Sequence, residues 1–206
     1  MNNKITAIST FLDETYPHVG CELYYEKDYE LVIAVMLSAQ TSDNAVNAVT
    51  KTLFSRYDSL TKLAEAQLED IEHIIHSIGL YKNKAKNVIG IAKTLLVDYQ
   101  GKIPSDKMEL QKLPGVGNKT AGVIRAEIFK IPDLPVDTHI LRISKRLSLS
   151  KENDTPLEVE QKLKKIFPQS CWIKIHHQLI HFGRDICLAR NPQCQRCKLQ
   201  GFCKKK

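Results

Sequence analysis

The sequence predicts an all-α protein. Apolar residues recur at three- and four-residue spacing along most of the 206-residue chain. The periodic runs tend to start after Ser, Thr or Asp and to stop at Gly or Pro. The one run with strand character, Leu31 to Leu37, has no partner strand elsewhere, so a buried helix from about Asp28 to Ala39 is expected there.

Taken in order, Ile5, Ile8, Phe11 and Leu12 make an amphipathic first helix that Pro17 stops. After the buried helix, Ser42 caps a helix carrying Ala45, Val46, Val49 and Leu53. A short helix follows Ser59, and another is expected over Leu68 to Ile78, with Gly79 as its left-handed terminator. Ala85, Val88, Ile89, Ala92, Leu95, Leu96 and Tyr99 form the cleanest helical stripe, ended by Gly101 and Pro104. Helices are expected on both sides of a Gly115–Gly117 turn. Pro132 to Pro135 mark a boundary between two parts of the chain. Thr155-Pro156-Leu157-Glu158 is a capping box with Pro at the first helical position, opening a helix with Val159, Leu163 and Ile166. Trp172 to Phe182 is the last expected helix, and the Lys204–Lys206 tail is expected to fray. His177 and His181 stand one turn apart, but without an HExxH carboxylate they read as packing or hydrogen-bonding residues.

The 43% hydrophobic and 26% charged fractions describe a globular protein with ample core. A net charge of +7 points to a polyanionic partner such as nucleic acid. No run is apolar enough to span a bilayer and no signal-peptide core is present, so no membrane partner and a cytoplasmic location are expected. In a reducing compartment six cysteines suggest metal ligation or free thiols.

Leu113-Pro114-Gly115-Val116-Gly117-Asn118-Lys119-Thr120-Ala121 reads as a tight hairpin between two helices. Its glycines allow positive φ, and the second helix presents its positive end behind the turn, an arrangement suited to a phosphate. Lys119 lies at that helix start, where the dipole disfavours a protonated amine, and is a candidate nucleophile; alone it also reads as a surface lysine. Asp137, in Val136-Asp137-Thr138-His139, is a candidate carboxylate for the same chemistry or the N-cap of the next helix.

Cys187-x6-Cys194-x2-Cys197-x5-Cys203 places four thiolates in 17 residues. Zinc sites usually bring two close pairs; here only one pair is close, which favours an iron–sulfur cubane. Cys21 and Cys171 fall outside the pattern and read as buried thiols.

The hairpin, the Val136–His139 segment and the cysteine spacing together resemble the endonuclease III family of helix-hairpin-helix DNA glycosylases. Leu37-Ser38-Ala39-Gln40-Thr41-Ser42-Asp43 and Ile78-Gly79-Leu80-Tyr81 are similar to its pattern as well. The resemblance implies a two-lobed helix-hairpin-helix glycosylase fold: residues 21–131 as a six-helix barrel, and residues 1–20 with 132–206 as a lobe bearing a 4Fe-4S cluster. It implies a monomeric, nucleoid-associated bifunctional glycosylase and AP lyase of base excision repair. Such an enzyme removes oxidised pyrimidines from double-stranded DNA and cleaves abasic sites by β-elimination.

By the same resemblance Lys119 is the nucleophile and Asp137 the catalytic carboxylate. Gly115, Val116, Gly117 and Lys119 meet the DNA at the hairpin, Gln40 fills the space of the flipped base, and Leu80 wedges into the stack. From the residues alone, Leu80 reads as a core leucine. From the residues themselves, Arg190 in the Cys187–Cys194 loop, with Arg184, Arg196 and Lys198, reads either as a grip on the DNA backbone or as solvated charges around a structural cluster, whose ligands are Cys187, Cys194, Cys197 and Cys203. Asn118 stands where many relatives carry a basic residue, which costs one phosphate contact. An adenine-mismatch glycosylase, which shares the fold, usually lacks a lysine at the position of Lys119 and carries a further C-terminal domain; this chain ends just after Cys203. A noncatalytic DNA-binding module with a redox-sensing cluster has no use for both Lys119 and Asp137.

Overall fold

A computed structural model describes residues 3–204, and among them every regular element is helical. Eleven helices run α1 Asn3–Thr15, α2 Asp28–Leu37, α3 Asp43–Arg56, α4 Leu60–Glu65, α5 Leu68–Ile75, α6 Tyr81–Tyr99, α7 Lys107–Leu110, α8 Asn118–Phe129, α9 Thr138–Arg146, α10 Pro156–Ile166 and α11 Trp172–Asp185, with three short 3-10 turns after α10. None is long and apolar enough to cross a membrane.

The chain divides into two compact units, Glu22–Lys130 and the remainder from the two ends. In Glu22–Lys130, α2 is apolar on all sides because it is surrounded: every side chain from Glu30 to Leu37 is buried. Helices α3, α6 and α8 pack on it, and α4 and α5 lie along α6. The one buried charge within α2 is satisfied locally. The Glu30 carboxylate accepts from the Glu26 and Lys27 amides at 2.8 and 3.2 Å, closing the helix start. Ser42 and Ser59 cap α3 and α4 through their side chains.

In the other unit, Ile8, Phe11 and Leu12 of α1 join α9, α10 and α11 in one core. Phe11 meets Phe182 edge-on at 5.4 Å, and Gln178 donates to Asp13 Oδ1 and to the Tyr16 carbonyl. Each fully buried Leu, Ile or Phe contributes about 1.5–3 kcal/mol here, so these side chains anchor α1 firmly to helices from the far end of the chain. Thr155 caps α10 in the expected box, with Pro156 at the first position.

Several boundaries differ from those the sequence predicts. Helix α2 stops at Leu37 rather than Ala39, because Ala39 and Thr41 fold back on Met36 and Ser38 in a tight turn. Helix α5 stops at Ile75 rather than Ile78, and the left-handed residue after it is Leu80 (φ 61°), not Gly79. The chain tightens through Ile78 N–H to Ile75 O, which postpones the reversal by one residue. Helix α11 continues to Asp185. The helix before the hairpin, α7, is a single turn capped by Asp106. Lys205 and Lys206 of the tail lie outside the described residues; Lys204 donates its amide to the Arg146 carbonyl at 2.8 Å.

Candidate active site and cysteine centre

The hairpin is built by burial at its base and by one glycine at its tip. Leu110, Leu113 and Val116 are buried, and the Leu113 and Val116 amides donate to Leu110 O and Leu113 O. Val116, expected among the DNA contacts, therefore faces inward: its amide closes the turn and its side chain is in the core. Of the two glycines only Gly115 is left-handed (φ 75°). A Cβ there would stand 2.4 Å from Asn87 Nδ2 and 3.0 Å from Met36 Cγ, so any side chain would be strained by the positive φ and would have to displace these neighbours. Gly117 is extended (φ −91°), caps α8, and has open space where a side chain would be. That space, at a helix start, is where an anion can approach the backbone. Lys119 follows at the second position of α8, its side chain exposed.

Helix α6 seats the rest of this apparatus on one face. Leu80 precedes it, and Lys84, Asn87 and Gly90 follow at helical spacing. Asn87 closes on Gly115, and a Cβ on Gly90 would meet Pro114 Cγ at 2.9 Å, so α6 and the hairpin touch through small groups. Leu80 is not a core leucine; 59% of it is exposed. Gln40 is exposed too and, like Leu80, left-handed (φ 56°). Left-handed non-glycine residues are uncommon and collect where a side chain must be aimed.

In the other unit, Asp137 is the N-cap of α9: its Oδ1 accepts from the Ile140 amide at 2.8 Å, and the side chain stays half-exposed. The segment leading to it is pinned. Leu134 and Val136 are buried, His176 Nδ1 lies 2.9 Å from Pro135 O, and Lys164 pairs with buried Asp133. At its far end α9 carries Arg142 and Arg146, one turn apart. Arg142 donates to Cys187 O and Gly183 O, and Arg146 to Leu188 O and Ala189 O, with Arg146 Nη1 3.3 Å from Cys187 Sγ. Sequence reasoning did not find Lys84, His176, Arg142 or Arg146. Only their phase on a helix hinted at them, since each lies on a face shared with buried residues. His177 is buried against His176, and His181 lies against Tyr16, consistent with packing.

Cys187, Cys194, Cys197 and Cys203 line one hollow, walled by Phe182 and Leu147. Burial pushes the Cys197 thiol up, and the other three thiols push it the same way, as expected for sulfurs that face one another. Among the described residues no three metal-binding side chains converge closely enough for a single ion. Four sulfurs spread around an apolar-walled hollow suit a cubane, which takes one thiolate per iron corner. Cys21 and Cys171 are half-buried rather than buried, and neither lines this hollow. Arg190 is exposed, whereas Arg196 faces Asp185 at 3.4 Å and Lys198 faces Glu14 at 3.0 Å, so two of the four expected backbone cations already meet carboxylates.

Residues 33–169 match the HhH-GPD superfamily of base excision DNA repair proteins, and residues 187–203 match the iron–sulfur binding domain of endonuclease III. Endonuclease III of Bacillus subtilis (strain 168) is 46% identical over 193 residues, spanning 94% of this chain and 88% of that protein. The chain belongs to the endonuclease III family. Among solved structures, a trapped endonuclease III–DNA covalent intermediate superposes with a TM-score of 0.94 at 43% identity, over 99% of this chain and 97% of that one. A non-covalent endonuclease III–DNA complex gives 0.95 at 44% identity, over 99% and 96%. This endonuclease III family member is a DNA glycosylase with AP lyase activity, and its four C-terminal cysteines hold a 4Fe-4S cluster.

Cys187, Cys194, Cys197 and Cys203 would hold the cluster, which would then cross-link four points of the last stretch of chain. The purified protein is therefore expected to be yellow-brown with about four irons per chain. Cys197→Ser should lose iron and melt earlier, because binding free energy at such a site is folding free energy. Cys21→Ser should keep its iron and cost about 1 kcal/mol or less. Stoichiometric zinc in a fully folded, iron-free preparation would overturn the cluster.

Proposed function

We propose that this chain, acting as a monomer on nucleoid DNA in the cytoplasm, excises oxidised or ring-damaged pyrimidines from the duplex. A base cannot be attacked inside the stack, so the damaged nucleotide is flipped out. Gln40 fills the vacated space and Leu80 wedges into the stack, while the Gly115–Gly117 backbone and Arg190 hold phosphates without reading sequence. Lys119 Nζ, once deprotonated, attacks C1′, and the base departs with the electrons of the glycosidic bond. The C1′–O4′ bond then breaks, O4′ taking a proton as the sugar ring opens, and leaves an iminium between Lys119 Nζ and C1′. This acidifies the C2′ proton, whose loss expels the 3′ phosphate by β-elimination. Asp137 takes the Lys119 proton and offsets positive charge developing on the sugar.

The observation that carries this reading is the exposed amine of Lys119 on the first turn of α8, beside a hairpin whose Gly117 leaves room for a phosphate. The covalent endonuclease III–DNA intermediate of a similar structure supports it. Release of free base from thymine-glycol, alkylated and adenine-mismatch duplexes, measured side by side, tests the substrate range. Thymine glycol should be released at least about tenfold faster than the others. Preferential adenine release would overturn the assignment.

A further inference from the structure

Three lysines stand at alternate positions near the start of α6. Lys82 and Lys86 are exposed, but Lys84 between them is only 4% exposed. Its ammonium is met by neutral acceptors, the Ala39 carbonyl at 2.8 Å and the Thr41 hydroxyl at 2.7 Å. Burial pulls its pKa down, as expected when a cation leaves water without a carboxylate to receive it. An arrangement that works against stability is retained where it specifies a geometry.

The geometry is specific. Ala39 and Thr41 are the residues on either side of Gln40, and the Lys84 amide donates to the Leu80 carbonyl at 3.0 Å. One residue thus holds the turn that presents Gln40 and begins the helical turn that presents Leu80. Both presented residues are left-handed and exposed, a conformation that persists only when its surroundings over-determine it. Within the Gln40 turn, local support comes from the Ala39 amide on Met36 O at 3.3 Å, the Thr41 amide on Ser38 O at 3.1 Å and a long Thr41 hydroxyl contact to Ala39 O at 3.4 Å.

We propose that Lys84 is a positioning residue that holds the Gln40 turn against the Leu80 end of α6, so that both side chains enter the duplex as one preset unit. This rests on the role proposed above for Gln40 and Leu80. With the tie in place, the ordering of the turn precedes DNA binding; without it, ordering falls on the step that opens the duplex.

Lys84→Met keeps the apolar stem and deletes the donors. Strand cleavage at an abasic site, measured under single turnover, compares duplex with single-stranded DNA of the same sequence. Duplex cleavage should fall about tenfold, the scale of a small misplacement. The fluorescence rise of 2-aminopurine opposite the site, which reports opening before any bond breaks, should slow with it. Single-stranded cleavage should fall less than about twofold and the melting temperature should not drop, since a buried charge has been removed. In a Gln40→Ala/Leu80→Ala background, Lys84→Met should add less than about a further twofold, having nothing left to position.

Equal losses on both substrates with earlier melting would make Lys84 a support of the fold only. An unchanged duplex rate would make the tie dispensable. A full loss persisting in the double-alanine background would place its action elsewhere. If the double-alanine protein itself shows no duplex-selective loss, the role of Gln40 and Leu80 fails first and the positioning role falls with it.

Discussion

Lys119→Gln should give no covalent complex when borohydride is added to the protein on abasic-site DNA. The amine is the only group in the proposed pathway that forms an imine with the sugar, and glutamine cannot form one. Base release and strand cleavage should fall at least about a thousandfold, the scale on which nucleophilic enzymes lose rate when the attacking group is removed. The fold should be unaffected, because the side chain is exposed on the first turn of α8. A cation there opposes the helix dipole, so the neutral residue leaves stability unchanged or slightly raised, by roughly a few tenths of a kcal/mol. DNA affinity should drop only by one charge's contribution, since the hairpin offers its backbone rather than its side chains. Undiminished trapping in this variant would remove Lys119 from the chemistry.

Asp137→Asn should slow base release about 10²–10⁴-fold while the protein melts almost as before. The loss follows from removing a group that accepts a proton and offsets positive charge on the sugar. The retained stability follows from the cap: Asp137 Oδ1 accepts from the Ile140 amide, and asparagine caps a helix about as well as aspartate. Asp137→Ala separates the two roles, because it should lose the same activity and in addition about 1 kcal/mol of stability. Full activity in the asparagine variant, with loss only in the alanine variant, would leave capping as the whole role of Asp137.

The motifs that nominate the candidate site were legible because their signals are local. The cysteine spacing between Cys187 and Cys203 needs no fold to be read, and the Leu113–Ala121 hairpin and the Ser42, Ser59 and Thr155 caps are short-range patterns. The N-cap reading of Asp137 was legible for the same reason, and its Oδ1 accepts from the Ile140 amide. Direction is what the local patterns did not report. Val116 belongs to the hairpin motif but its amide is spent inside the turn, and Gly79 terminates nothing because Leu80 takes the left-handed position. Among the basic residues near the cluster, Arg196 and Lys198 face carboxylates supplied by other helices, which no local pattern reports.

By itself the sequence determined the helical class, through the period of its apolar residues, and nominated the candidate chemistry, through one lysine, one aspartate and four cysteines. Tertiary structure alone decided which side chains face out and which are tied in. Lys82, Lys84 and Lys86 are the same residue at even spacing, and helical phase places only Lys84 on the face of Val88, Ile91 and Leu95. A lysine on such a face can snorkel to water or turn inward. It turns inward because the Ala39–Thr41 turn, more than forty residues earlier in the chain, brings a carbonyl and a hydroxyl within 2.8 Å of its ammonium. A hydrogen bond depends on the final separation of two groups, and separation along the chain does not report it.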